Sequence, residues 1–136
     1  MVCIYCGDNT RVTNSRLQKQ TNKVWRRRQC LSCQAIFSTL EQNVYENTLA
    51  VQDRKSHIMP FQRDKLFLSI YDACKHRPTA LIDASALTET VISNLLENQQ
   101  PNHGLVQKVT IAENVINTLK HFDNAAYVHY SAYHSL

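Results

Sequence analysis

Cys3-Ile4-Tyr5-Cys6 and its counterpart Cys30-Leu31-Ser32-Cys33, with 23 residues between them, decide how the first third of the chain folds. Each C-x-x-C brings two thiolates onto one tight knuckle, and two knuckles supply the four sulfurs of a tetrahedral zinc. No His lies in residues 1–40, so the expected ligand set is all cysteine: Cys3, Cys6, Cys30 and Cys33. Four protein ligands leave no open position for a catalytic water, which makes the metal structural. A redox C-x-x-C normally stands alone near a βαβ pattern, and a disulfide framework belongs to secreted chains; neither context is visible. The fifth cysteine is different. Cys74 falls in the apolar helical pattern Leu66, Phe67, Ile70, Tyr71, Cys74 and reads as a small buried hydrophobe.

Between the knuckles, Arg11-Val12-Thr13 and Lys23-Val24-Trp25-Arg26 read as short strands joined by the turn-rich Gln18-Lys19-Gln20-Thr21-Asn22. A unit this small buries little apolar surface and is expected to fold only around its metal. Its charge is one-sided. Residues 1–40 carry seven Lys or Arg against a single acid, Asp8, while the remainder carries eight bases and ten acids. Asymmetry of that kind points to a polyanion partner for the basic part. Arg26, Arg27 and Arg28 stand immediately before the second knuckle, and strand alternation puts Arg26 and Arg28 on one face and Arg27 on the other. Arginine pairs with phosphate oxygens or guanine edges, and Trp25 and Tyr5 offer stacking faces. A solvated charged strand is the bland alternative; the combination with the knuckles makes nucleic acid the better one.

Beyond Gln42 the pattern changes. Val44-Tyr45 and Leu49-Ala50-Val51 read as a short strand, Lys55-Ser56-His57 as a turn, and Ile58-Met59 as a returning strand ended by Pro60. Helical periodicity follows over Arg63–His76, Asp83–Gln99, Leu105–Phe122 and Asn124 to about His134, with breaks at Arg77-Pro78 and Pro101-Asn102-His103-Gly104. The expected fold class is therefore α+β: a four-cysteine zinc ribbon over residues 1–43, then a mostly helical domain with a small β-hairpin over 44–136. No apolar run approaches the ~20 residues of a membrane span, and Met1-Val2-Cys3 shows no basic n-region or apolar h-region. Two glycines and three prolines in 136 residues argue against disorder. These features lead to the expectation of a soluble, cytoplasmic protein. The six histidines are scattered, with no H-E-x-x-H and no Gly-rich loop, so no enzyme is expected.

The residues also carry a resemblance. The chain resembles the NrdR family, bacterial zinc-ribbon and ATP-cone repressors of ribonucleotide reductase genes. The likeness is carried by Cys3-Ile4-Tyr5-Cys6-Gly7, Ser15-Arg16-Leu17, Arg26-Arg27-Arg28-Gln29-Cys30-Leu31-Ser32-Cys33 and Phe37-Ser38-Thr39. It continues in Pro60-Phe61 with Lys65-Leu66, in Arg77-Pro78, and in Ala126-Tyr127-Val128 with Ser131 and Tyr133. The resemblance implies a ribbon that binds double-stranded promoter DNA, a cone that binds ATP or dATP, and a homo-oligomer whose size the nucleotide sets. Clustering beside the knuckle and the positive charge of residues 1–40 point to DNA contact by Arg16, Arg26, Arg27 and Arg28, and the resemblance implies nucleotide contact by Val51, Arg54, Lys65 and Tyr127. The chain departs from the family's pattern at Asp53, where a base is usual, at Ser56, where a glycine is usual, and at Gln62 and His129. Asp53 beside a triphosphate is repulsive unless Lys55, two residues on along a strand, or Mg²⁺ compensates.

These expectations converge on a nucleotide-responsive transcriptional repressor, cytoplasmic and associated with the nucleoid. The competing expectation is a zinc-ribbon module that docks on RNA or protein, with a helical oligomerisation domain that has lost its nucleotide.

Overall fold

A computed structural model describes residues 1–98 and 104–134. The chain divides into two compact units, Met1–Asn43 and Val44–Leu136.

The first unit is a three-stranded antiparallel sheet in the order β1 (Thr10–Gln18), β2 (Lys23–Cys30), β3 (Ile36–Glu41). The strands outrun the two short segments expected from the sequence, and β3 has no counterpart among those expectations. Ile36-Phe37-Ser38-Thr39-Leu40-Glu41 lacks a clean alternation and so does not stand out from a loop in the sequence; its pairing of Ile36 to Glu41 with Gln29 to Val24 makes it a strand. The β1–β2 turn lies within the expected connection Gln18–Asn22, with Asn22 in the left-handed region at φ 49°. β1 carries a β-bulge: the register with β2 slips between Val12 and Asn14, leaving Thr13 as the extra residue. Only Cys3, Cys30 and Lys23 are buried in this unit. An apolar core is not what holds it.

The second unit has one. It begins with a single turn, α1 (Tyr45–Thr48), followed by strands β4 (Ala50–Gln52) and β5 (Ile58–Pro60). The helices are α2 (Arg63–Cys74), α3 (Ala80–Glu97), α4 (Lys108–Phe122) and α5 (Asn124–Tyr133), with β6 (Leu105–Gln107) ahead of α4. The sheet order is β5-β4-β6, with β4–β5 antiparallel and β4–β6 parallel. Two expectations are corrected here. Val44-Tyr45 is no strand: Tyr45 opens a helical turn and packs edge-on against Phe61, ring centroids 6.4 Å apart. Leu105 and Val106 do not begin the fourth helix; they form β6 beside Ala50 and Val51, and the helix starts at Lys108. Leu105 shares the helical phase of Val109 and Ala112, so periodicity could not separate it, whereas parallel pairing buries Val106 completely. The third helix starts at Ala80, three residues ahead of the expected Asp83, since Pro78 lies outside the helix and needs no internal hydrogen bond. The expected break at Pro101-Asn102-His103, and Gln99 before it, lie outside the described residues.

The core gathers Phe61, Ile70, Val91, Ile92, Leu95, Val115, Leu119 and their neighbours from all the long helices. Cys74 is part of it, wholly buried, and burial pushes its thiol up. Gly104 is required where it stands. At φ +83° its carbonyl accepts from the Ala50 N–H (2.8 Å), and a Cβ would sit 2.4 Å from the Thr48 carbonyl oxygen. Asp123 joins the last two helices, capping α5 by accepting from the Ala126 N–H at 2.9 Å.

Candidate functional site

The four cysteines read from their spacing come together. Their Sγ atoms all lie within 4.8 Å of one another, with Cys3–Cys33 at 3.7 Å and Cys6–Cys30 at 3.5 Å. A tetrahedron with Zn–S of about 2.3 Å has sulfur–sulfur edges of about 3.8 Å, so the cage has the right size for that ion. The knuckle backbone points inward as a thiolate site needs: Tyr5 N–H donates to Cys3 Sγ, and Ser32 and Cys33 N–H donate to Cys30 Sγ, each at 3.4 Å. Against the burial that raises it, the Cys30 thiol is drawn down to about 7 by the Cys33 and Ser32 N–H groups and by the Cys6 thiol. Cys6, although a backbone hydrogen bond at Asp8 lowers it, is pushed up to about 12, chiefly by Cys30. Four crowded sulfurs thus share protons that a bound dication would release.

The basic segment is sorted by the sheet. Arg26 and Arg28 share one face of β2 and are partly buried. Arg26 pairs with Glu41 (3.1 Å), and Arg28 donates to Thr39 Oγ1 (3.3 Å) and Thr10 Oγ1 (3.4 Å). Arg16 and Arg27 are exposed on the other face, Arg16 directly opposite Trp25 in the register and Arg27 two residues on along β2. The four arginines expected at the DNA are therefore not one cluster. Arg11 joins Arg16 and Arg27, donating to Gln29 Oε1 at 2.8 Å.

In the second unit a cavity of about 240 Å³ opens between the small sheet, α2, α4 and α5; its walls include Val51, Phe61, Lys65, Ile111 and Tyr130. A second cavity, about 500 Å³, is lined by Arg54, Lys55, His57 and Lys108, and the two share Asp53, Lys108, Ala112 and His134. An apolar compartment with an adjoining basic one suits a nucleobase and its phosphates. Of the residues expected at a nucleotide, Val51 and Lys65 line the first cavity and Arg54 the second. Tyr127 does not line either. It packs against the core, and Tyr130, one helical turn on, faces the cavity instead. Lys108 escapes a reading of the sequence because periodicity starts its helix at Leu105.

Asp53 differs from its expected role. The strand ends at Gln52, so the alternation that put Lys55 beside Asp53 does not apply. The Asp53 carboxylate caps the hairpin turn, accepting from the Lys55 N–H (2.8 Å), the His57 N–H (2.9 Å) and the His57 ring (3.1 Å). These donors, the His57 backbone first, hold it below the ordinary carboxylate range. Lys55 still reaches the basic cavity, from the turn rather than from a strand.

Residues 1–41 match the N-terminal domain of transcriptional repressor NrdR-like proteins, and residues 49–136 match the ATP cone domain. Similar full-length proteins include the transcriptional repressors NrdR of Symbiobacterium thermophilum (33% identical, covering 97% of this chain and 85% of that protein) and Sphingopyxis alaskensis (34%, 97% and 83%). That of Geobacillus kaustophilus is 32% identical over 97% and 84%. The chain belongs to the NrdR family. Its zinc ribbon and ATP cone follow in the family's order, and among the described residues no helix is long and apolar enough to cross a membrane. Of the four departures expected from the resemblance, Asp53 and Ser56 sit in one turn: Ser56 takes the left-handed conformation at φ 64°, which glycine adopts without steric strain.

Proposed function

We propose that the chain is a nucleotide-responsive transcriptional repressor that binds double-stranded promoter DNA of ribonucleotide reductase genes. Residues 1–43 form the DNA-binding domain around a structural zinc on Cys3, Cys6, Cys30 and Cys33. Arg16, Arg26, Arg27 and Arg28 supply its positive field. Residues 44–136 form the regulatory cone, with ATP or dATP held by Val51, Arg54 and Lys65, joined by Lys108 and Tyr130. Mg²⁺ accompanies the phosphates, and the nucleotide sets the size of a homo-oligomer in the cytoplasm, at the nucleoid. The observation that carries this reading is the junction of the two cavities: apolar walls on one side, Arg54, Lys55 and Lys108 on the other, in a chain whose first unit is rich in arginine. The named function of the similar proteins, transcriptional repression, supports it.

The test is binding of the full chain to a duplex from a ribonucleotide reductase promoter, with and without ATP or dATP, alongside calorimetry of the nucleotides. Binding should exceed that to scrambled duplex and respond to nucleotide. Lys65→Ala should weaken nucleotide binding. Asp53→Asn keeps an oxygen acceptor for the turn but removes the charge from the cavity mouth, so it should tighten ATP binding several-fold and lessen its need for Mg²⁺. No heat with either nucleotide, in wild type and Asp53→Asn alike, would leave the cone as an oligomerisation scaffold. Preference for single-stranded RNA over promoter duplex would replace the repressor with an RNA-binding module.

A further inference from the structure

The two faces of the ribbon sheet differ in chemistry, and register decides which residue belongs to which. Residues directly opposite in antiparallel strands share a face. Arg11 pairs with Gln29, Asn14 with Arg27 and Arg16 with Trp25, all on the first face. Val12 pairs with Arg28, Ser15 and Thr39 with Arg26, and Glu41 with Val24, all on the second. Arg11 and Arg16 are an odd number of residues apart, so a regular strand would set them on opposite faces. The bulge at Thr13 brings them onto the same one.

Charge separates the faces further. The unit Met1–Asn43 contains two acids, Asp8 and Glu41. Asp8 precedes β1, and Glu41 is on the second face, paired with Arg26 at 3.1 Å. The first face has no carboxylate among its strand residues, and Arg11, Arg16 and Arg27 are exposed on it. Arg26 and Arg28, partly buried, already commit donors to Glu41, Thr39 and Thr10.

Spacing matches a nucleic-acid target. Same-face residues along a strand repeat every 6.6–6.8 Å or so, about two base steps of roughly 3.4 Å. The levels Arg16/Trp25, Asn14/Arg27 and Arg11/Gln29 therefore address alternate base pairs. A B-form major groove, about 12 Å wide, admits a two-stranded ribbon. Arginine fits the O6 and N7 of guanine. Gln29 accepts from Arg11 at 2.8 Å and donates to Gln34 at 3.0 Å, so its amide holds Arg11 in place on this face.

We propose that the face carrying Arg11, Arg16 and Arg27 is the base-reading surface of the ribbon, seated in the major groove of duplex DNA, with Gln29 positioning Arg11. Arg26 and Arg28, on the opposite face, brace the sheet and add only sequence-independent charge. This assignment rests on the reading of the ribbon as a DNA binder given above, and it adds Arg11 to the residues that make contact.

The experiment selects bound sequences from a random duplex DNA library with the full-length, zinc-loaded chain. Arg11→Ala, Arg27→Lys, Arg26→Lys and Arg28→Lys are run in parallel, each checked for zinc content. Arg27→Lys keeps the charge but loses the planar fork. It should retain the salt slope while losing about 5- to 150-fold on the enriched sequence and none on random duplex. Arg11→Ala should erase information at one end of the selected motif. Arg26→Lys and Arg28→Lys should return the wild-type motif. A motif unchanged in Arg11→Ala and Arg27→Lys, or altered only in Arg26→Lys or Arg28→Lys, overturns the face assignment while leaving DNA binding standing. A wild-type chain that enriches no duplex motif and binds a single-stranded RNA pool more tightly overturns both.

Discussion

The two units of this chain solve the same problem, fixing a backbone against its conformational entropy, with different materials. In the ribbon, the residues withdrawn from water are two cysteines and a lysine, and the strands are otherwise exposed or half-exposed. In the cone, side chains such as Ile70, Val91, Val115 and Leu119 disappear from solvent altogether. A unit of some forty residues cannot bury enough apolar surface to stand on that alone, and a unit twice as long can. The ribbon's strands are consequently exposed or half-exposed along their length, whereas the cone's cavities open between packed elements.

The largest expected effect breaks the comparison on the ribbon side. Apparent binding free energies for structural zinc in such units are about 10–16 kcal/mol at neutral pH, well above the stability of a small domain. Chelation of the full chain, or Cys30→Ser, should abolish the β-sheet amide protection of residues 10–41 and all DNA binding, while the amides of α2 to α5 keep their protection. Hydrogen exchange read by mass spectrometry resolves the two units. Loss of protection in both together would mean that the ribbon's metal also holds the cone.

The converse substitution is Ile92→Ala. Ile92 is 1% exposed in the middle of α3, and truncation there should cost about 2–5 kcal/mol through lost transfer energy and a residual cavity. Thermal melting should lower the cone transition by that amount and leave zinc stoichiometry at one per chain. A cone melting unchanged would show that Ile92 is not part of the packing that holds the cone.

How legible each unit is in the sequence follows from these same materials. Four cysteines at fixed spacing name a site directly, because few other chemistries need that pattern, so the sulfur cage is visible before any strand is. The pairing of faces is not visible: a single extra residue at Thr13 inverts the side on which Arg11 stands, and nothing in Arg11-Val12-Thr13-Asn14 announces a bulge. In the cone the long helices can be read from periodicity, with ends displaced by a few residues. The short elements cannot. β6 continues the apolar phase of α4, and α1 is one turn inside a stretch of good strand formers, so in each case long-range packing overrides local preference. That error carries into the site, since Lys108 gains meaning only once α4 begins there; Tyr130, buried in the core and lining the cavity, stands where Tyr127 is expected.

A smaller effect separates the units by pH. Arg77, after α2, donates to Asp83 and Asp123 at 2.8 Å each and lies over the Phe122 ring at 4.6 Å. The Ala126 N–H first, then Arg77 and His76, hold the Asp123 carboxyl well below the ordinary carboxylate range; Thr79 and Arg77 hold Asp83 down likewise. A carboxyl whose folded value lies below its unfolded one, about 3.9, contributes stability that is complete above the unfolded value and is lost as pH falls toward the folded one. Cone stability should therefore decline from about pH 5 downward, and Arg77→Ala should lower it at neutral pH while flattening that acid decline. Denaturant titrations at a series of pH values measure both slopes. Equal slopes in wild type and Arg77→Ala would remove the network from the account.

The smallest expected effect lies in the turn that Asp53 and Ser56 share. Ser56 holds φ 64° at the tip of the β4–β5 connection, its N–H donating to the Asp53 carbonyl at 3.1 Å. For a residue with a Cβ the left-handed region costs roughly 1–2 kcal/mol, and glycine escapes that cost. Glycine in turn gives the unfolded chain more freedom, which costs about 0.5–1 kcal/mol. Ser56→Gly should therefore stabilise the cone by about 0 to 1.5 kcal/mol, a rise of about ten degrees at most in its melting temperature. The ribbon's DNA affinity at saturating zinc, measured without nucleotide, should not move. The sign is the informative part. A stabilised cone would mean that serine at this position is tolerated against strain while Asp53 secures the turn through its three hydrogen bonds. A destabilised one would mean that the Ser56 side chain contributes more than the left-handed backbone costs.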